Sequence, residues 1–430
     1  MSAAWPLSLA LGAVVLSVYV QTLCPSVPGG DAGELIQVAI EGGVVHPPGY
    51  PTWTMLAYAF SRLPLGEPAW RINLSSAVFG AGAATLLSVA VGTYADCAYT
   101  GLVAGGAFAF APLVWEYSTQ GEVFALNNLN NALLLYLLVR FAKRPSLSGA
   151  CAGAFAIGLA LCNQHTLVFY CVPYAFWALA VCASRRLLTP GGLACLALSG
   201  LLGLAPYLYL PLASSAGASW GSWGDQRTLR GLLTHMLRRE YGTFQLANTP
   251  QTTNSEYYPR LRLYASSVPD ELPPLATPLL LIGLLASIVR ALHGTTASAS
   301  AGPDDDDDAP AKDADTNADE PVLEVNAAAS SKGGRTGKGG GGGGLWRDAH
   351  GLGLLLPLAY LLYVLLFNYL SNLPVSSKFF LQVQQRFWPQ ANLLCAAWYA
   401  LGLQHTLYAL QAYGLRPRQR PNVASNVDVL

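Results

Sequence analysis

RINLSSAVFGAGAATLLSVAVGTYADCAYTGLVAGGAFAFAPLV, residues 71–114, holds two apolar stretches, 71–94 and 98–114, parted by a short turn around Asp96. Each is close to the roughly 17–25 residues that carry an α-helix through hydrocarbon. Glycine and alanine recur throughout without strict polar–apolar alternation, which argues against a β-barrel. Backbone groups in lipid need partners within their own segment, so these runs read as helices. Outward from this pair the pattern repeats at 5–23, 121–141, 149–163, 166–184, 191–212, 274–292, 351–370 and 388–410. The expected fold class is therefore an all-α integral membrane protein with about ten transmembrane helices. The first run lacks a basic leader and a small-residue cleavage site, and reads as a retained signal-anchor helix.

Composition supports the same class. Of 430 residues 53% are apolar and only 11% charged, against roughly 25% charged in soluble domains. A soluble enzyme, a disordered chain and a nucleic-acid binder are poor fits. The zero net charge conceals an imbalance, because 11 of the 24 acidic residues lie between 294 and 350, leaving 19 basic against 13 acidic residues elsewhere. The eight cysteines show neither CxxC pairs nor ligand spacing, so neither a disulfide framework nor a bound metal is expected.

Basic residues set the orientation. Arg140, Lys143, Arg144, Arg185, Arg186, Arg290, Arg416, Arg418 and Arg420 all follow even-numbered runs, which puts both termini in the cytosol. The expected organisation is a core over 1–293 with non-cytosolic loops at 24–70 and 213–273, a cytosolic linker over 294–350, two closing helices over 351–410, and a tail over 411–430. The linker contains Asp304–Asp308 and the Gly339–Gly344 run, a composition too poor in apolar surface to pack.

The densest polar signal lies in the first loop, Pro28-Gly-Gly-Asp31-Ala-Gly-Glu34-Leu followed by Glu41-Gly-Gly-Val-Val-His46-Pro-Pro-Gly-Tyr50-Pro. Asp31 is placed to cap a helix over 32–41, with Glu34 one turn on. An interfacial helix with a capping aspartate and solvated acids accounts for this spacing, and so does an acid/base cluster with His46 beside it. Topology brings other polar groups to the same face: Trp115, Glu116 and Glu122 between the third and fourth runs, Gln164 and His165 between the fifth and sixth, Trp223 and Asp225 in the long loop, and Arg386 before the last run. Acids to take a proton, arginines to hold a phosphate and aromatics to stack on a sugar then share one membrane side. Asn127, Asn128, Asn130 and Asn131 read as interhelical bonds rather than ligands. A transporter would carry its ionisable residues at mid-membrane, whereas these sit at helix ends, favouring an interfacial enzyme.

GGDAGELIQVA (29–39), HPPGYPTW (46–53), WEYSTQGEVFALNNL (115–129), LCNQHT (161–166), WGDQRTLRGLLTHMLRREYGTF (223–244) and VQQRFWPQANL (383–393) together resemble a family of membrane-embedded protein O-mannosyltransferases that modify plexin and hepatocyte growth factor receptor domains. The resemblance runs from residue 26 to about 410, excluding the acidic linker. Animal members carry a C-terminal helical-repeat domain, and this chain stops 20 residues after its last apolar run at 410. The resemblance implies a GT-C glycosyltransferase fold in the endoplasmic reticulum membrane with a lumenal active site. It implies a multi-pass enzyme that takes mannose from dolichyl-phosphate mannose and passes it to Ser or Thr of secretory proteins, with inversion and without metal or other cofactor. Carried onto these residues, it makes Asp31 the general base with Glu34 as its partner, and Arg386 the donor-phosphate ligand supported by Gln164 and His165. His46, Tyr50, Trp115, Glu116, Glu122, Trp223 and Asp225 would form the sugar and acceptor pocket. Another sugar or acceptor on the same fold, or a transporter or flippase, are the alternatives.

Overall fold

A computed structural model describes residues 4–217, 220–243, 246, 256–300 and 351–414. It is all-helical, with no strand among the described residues. The α-helices in chain order are α1 (Ala4–Gln21), α2 (Ala32–Glu41), α3 (Pro51–Ser61), α4 (Pro68–Ala95), α5 (Ala98–Ala109), α6 (Pro112–Ser118), α7 (Phe124–Lys143), α8 (Leu147–Leu161) and α9 (Val168–Ser184). They continue with α10 (Pro190–Gly203), α11 (Tyr209–Ser215), α12 (Leu229–Met236), α13 (Tyr257–Ser267), α14 (Ala276–Ser300), α15 (Leu352–Leu370), α16 (Lys378–Gln385) and α17 (Trp388–Gly414).

Every expected apolar run falls on a helix or a helix pair, but not every one is a straight span. Among the described residues, five helical segments are long and apolar enough to cross a membrane, or up to seven if each bent pair counts as one span. The pair α5–α6 bends by 70°, and α10 with residues 205–215 by 45°. Proline explains both breaks: Pro112 and Pro206 each stand at the first turn of the second piece, where a missing N–H is tolerated but an uninterrupted helix is not. α7 is long enough, yet its first two turns carry four buried asparagines. One of these, Asn131, donates to the Gln390 carbonyl of α17 at 2.9 Å, a bond between helices as its sequence context implied.

The core is built around α4, which packs against α1, α5 and α7, while α14 lies along α17. The last pair approaches closely because a Cβ on Gly283 would strike the Trp398 carbonyl and one on Gly402 the Leu279 carbonyl. Asn73, part of an Asn-Leu-Ser sequon, is fully buried and donates to the Cys24 and Ser26 carbonyls at 2.8 Å each. It ties the start of the first loop to α4 and leaves no room for a glycan.

α14 runs to Ser300 and α17 to Gly414, past the expected boundaries at 294 and 410. The rest of the expected linker and tail, 301–350 and 415–430, lies outside the described residues.

Candidate active site

α2 sits where the first loop returns to the bundle. Its apolar face of Ala32, Leu35, Ile36, Val38 and Ala39 is buried against α3 and α4, which turns the two acids of the motif towards the remaining loops. The helix matches the expected 32–41, but its cap does not. Asp31 occupies the N-cap position in helical geometry and its side chain makes no capping hydrogen bond. Its carboxylate instead accepts from Arg386 Nη1 at 2.6 Å. The reason is energetic: a charge-assisted bond to a mostly buried guanidinium outweighs one neutral N–H.

Arg386 is aimed by its surroundings. Gln384 donates to Asn368 at 3.1 Å, and Tyr363 donates to the Phe387 carbonyl at 2.8 Å, fixing the turn between α16 and α17. Gly30 completes the fit, with φ +72° and a hypothetical Cβ only 2.8 Å from Arg386 Nη2, so another residue would be strained and would push the arginine aside. The same Nη1 lies 3.9 Å from Glu122 Oε1, and the Tyr117 hydroxyl lies within the field of this guanidinium.

The two carboxylates on Arg386 differ sharply. Asp31 is 53% exposed at its side chain against 10% for Arg386, so it faces the open side. Glu122, in the turn before α7, is 2% exposed. Burial pushes its carboxyl up to about 8, with Arg386 opposing the shift and Asp31 and Glu34 adding to it. At neutral pH Glu122 is thus mostly protonated, and Asp31 is the accessible carboxylate of the pair.

This has a measurable consequence. Between the ordinary 4.5 and about 8 the folded chain keeps a proton that the unfolded chain has lost. Glu122 therefore favours folding at acid pH, and that contribution fades as pH rises through this window. Glu122→Gln should remove the fade. Its melting temperature should fall less than the wild type's between about pH 5 and about pH 9, and parallel curves would show that Glu122 does not titrate there.

Glu34 has a different role from Asp31. Its Oε1 accepts from the His46 backbone N–H at 2.8 Å, and its Oε2 lies 2.9 Å from His46 Nδ1. This closes the 42–46 segment back onto α2. The His46 ring sits edge-on to Tyr50 at 5.3 Å and to Trp223 at 6.4 Å, so these three expected pocket residues do assemble. The Tyr50 hydroxyl, pushed up to about 12 by burial, lies within electrostatic reach of Arg238, Asp31 and Glu122.

Beside this cluster lies a cavity of about 450 Å³ lined by Gln164, His165, Tyr207, Arg238 and Phe387, with Phe169, Phe367 and Leu370 among its apolar walls. Tyr207 gives its hydroxyl proton to the Leu161 carbonyl at 3.0 Å and so accepts from His165 Nε2 at 2.6 Å. Arg238 donates to the Pro47 carbonyl at 2.9 Å and the Leu246 carbonyl at 3.5 Å, and its buried Nε has no partner among the described residues. The residue is held in left-handed geometry at φ 51°, with its guanidinium 5.2 Å from the Tyr241 ring.

Other expected residues stand apart. Arg386, expected at the donor phosphate, is engaged by Asp31, and the cavity-lining arginine is Arg238, whose signal was only its place in the LRRE segment. Trp115 Nε1 donates to Thr22 at 2.8 Å and its ring packs on Tyr19 and Phe110, which ties α6 to α1. Glu116 is exposed on α6. Asp225 is exposed and bound twice by Arg227 at 2.8 Å, which lowers its carboxyl to about 2. Topology put all of these on one side of the bundle, but side-chain direction divides them. Tyr117, Tyr207 and His235 were not foreseen. His235 Nε2 lies 3.0 Å from the Val45 carbonyl and supports the same loop.

Fold and site together define an all-helical membrane protein with a carboxylate–arginine cluster beside a mostly apolar cavity. Residues 31–187 match the family described as the N-terminal domain of protein O-mannosyl-transferase TMEM260. It is 46% identical over 247 residues to the mouse protein O-mannosyl-transferase TMEM260, covering 56% of this chain and 35% of the relative. To the Dictyostelium discoideum protein of that name it is 36% identical over 284 residues, covering 62% of this chain and again 35% of the relative. The chain thus spans about a third of the length of these relatives. No solved structure matches it.

Proposed function

We propose that the chain is a protein O-mannosyltransferase of the GT-C type, taking mannose from dolichyl-phosphate mannose and transferring it to a Ser or Thr hydroxyl. The observation that carries this reading is the exposed Asp31 carboxylate, held at 2.6 Å by Arg386, beside a cavity lined by Arg238 and apolar walls. A lipid-linked sugar phosphate needs such a pairing, apolar surface for the isoprenoid and fixed cationic donors for the phosphate. The names of the related proteins support the sugar and the linkage.

In the proposed reaction the donor phosphate rests against Arg238, with Gln164 and His165 beside it. The acceptor oxygen attacks the anomeric carbon as its bond to the phosphate breaks, through an oxocarbenium-like state. Asp31 takes the hydroxyl proton, and the leaving phosphate keeps the bond electrons with its charge met by arginine, without a metal. Direct displacement inverts the anomeric centre. Glu34 holds the His46 segment that walls the acceptor side, and neutral Glu122 avoids a second anion against Arg386. With the basic clusters after the apolar runs on the cytosolic side, the site faces the lumen of the endoplasmic reticulum, where secretory proteins supply the hydroxyl.

The test is transfer by purified protein from radiolabelled dolichyl-phosphate mannose to Ser- and Thr-bearing peptides. Label in the peptide, released by β-elimination, is the expected result. Label in a lipid or free glycan would replace the protein acceptor, and transfer from a nucleotide sugar alone would replace the donor.

A further inference from the structure

At the other end of α7 a second kind of pocket opens. α7 begins two residues after Glu122, and its 20 residues span on the order of 30 Å, which takes Arg140 and Lys143 to the far side of the bundle from Asp31. There α7, α8, α9 and α10 leave an apolar slot of about 310 Å³, lined by residues such as Leu134, Leu138, Gly153, Ile157, Ala178 and Ala197. A Cβ on Gly153 would meet nothing within 4 Å, so this face of α8 is open. A larger cavity of about 760 Å³ adjoins it, sharing Leu137, Phe141 and Gly149 and adding Arg140, Lys143, Arg144, Ser146 and Ser148.

The charges at this mouth are unbalanced. Lys143 is bonded to Asp96, which also lies 3.9 Å from Arg290. Arg140 lies over the Tyr136 ring at 5.6 Å, and Arg144 is exposed. Asp96 thus meets Lys143 and Arg290, while no carboxylate pairs with Arg140 or Arg144 among the described residues.

We propose that this composite pocket binds one anionic glycerophospholipid, with an acyl chain in the slot and its phosphate on Arg140, Lys143 and Arg144. The slot presents almost no polar group, as an acyl chain requires and a peptide or sugar would not tolerate. The rim supplies the complementary charge, since a basic pocket between membrane helices attracts acidic headgroups. A zwitterionic lipid fits the slot equally well but gains less from the rim. The site is separate from the mannose chemistry and would anchor α8 and α10 against α7, the helix that follows Glu122.

Native mass spectrometry of the delipidated full chain, titrated with phosphatidylserine or with phosphatidylcholine of the same acyl chains, tests the assignment. One phosphatidylserine should be retained at concentrations roughly tenfold below those needed for phosphatidylcholine. Arg140→Gln with Arg144→Gln should bring the two lipids level. Gly153→Leu should reduce retention of both, and Ala197→Leu, filling the slot from α10, should do the same if the first variant fails to fold. Equal retention of the two lipids by the wild type would overturn the proposal. So would unchanged retention after the slot is filled, or preferential retention of dolichyl phosphate, which would make this a polyprenyl site.

Discussion

Asp31→Asn is expected to lower the rate of mannose transfer by roughly 10²–10⁴-fold, the usual cost of losing a general base, while leaving donor affinity nearly unchanged. The amide still offers an oxygen to Arg386 Nη1, now 2.6 Å from Asp31, so the local arrangement should persist. No cap is lost, because the Asp31 side chain makes no capping bond. What disappears is the one carboxylate of the cluster that is both open and able to take a proton, since Glu122 is buried and pushed up to about 8. The measurement is transfer at saturating donor and acceptor, with melting temperature recorded alongside. A rate within a few-fold of wild type in a folded variant would reduce Asp31 to an anchor for Arg386.

Arg238→Ala is expected to raise the KM for the donor by about 10–100-fold with a smaller change in kcat, as a hydrogen bond to a charged group contributes about 1.5–3 kcal/mol. The variant also loses the bond to the Pro47 carbonyl, so Arg238→Lys serves as the control. Lysine restores the charge but not the planar fork, and should recover the KM in part. If Arg386→Ala instead raised the donor KM while Arg238→Ala did not, the phosphate would belong at Arg386.

The helices were legible because lipid forces a local rule: an apolar run must close its own hydrogen bonds. The bends at Pro112 and Pro206 were not legible in the same way: proline is favoured in a helix's first turn, but Pro173 and Pro357 stand inside helices. The site was legible as a face and not as a set of contacts. Asp31 and Arg386 are separated by 355 positions, and nothing local to Asp31 shows that an arginine competes for its carboxylate. The local reading gave it to the helix cap, which is what its neighbours in sequence suggest. Trp115 and Asp225 show the converse. Both belong to distinctive motifs on the right side of the bundle, but Trp115 packs towards α1 and Asp225 is taken by Arg227 two residues away. Arg238 was hidden among several arginines of one segment. What distinguishes it is its place in the cavity wall, a property of packing alone.

The central claim is that a lipid-linked mannose phosphate lies against Arg238 with its sugar towards Asp31. Photo-crosslinking with a dolichyl-phosphate mannose analogue carrying a diazirine in its first isoprene unit tests this most directly. Label is expected in peptides covering 161–169, 236–243 or 367–371, each of which contributes residues to the cavity wall, with competition by unlabelled donor. Competed label confined to helices that do not line this cavity, with these segments unmodified, would contradict it.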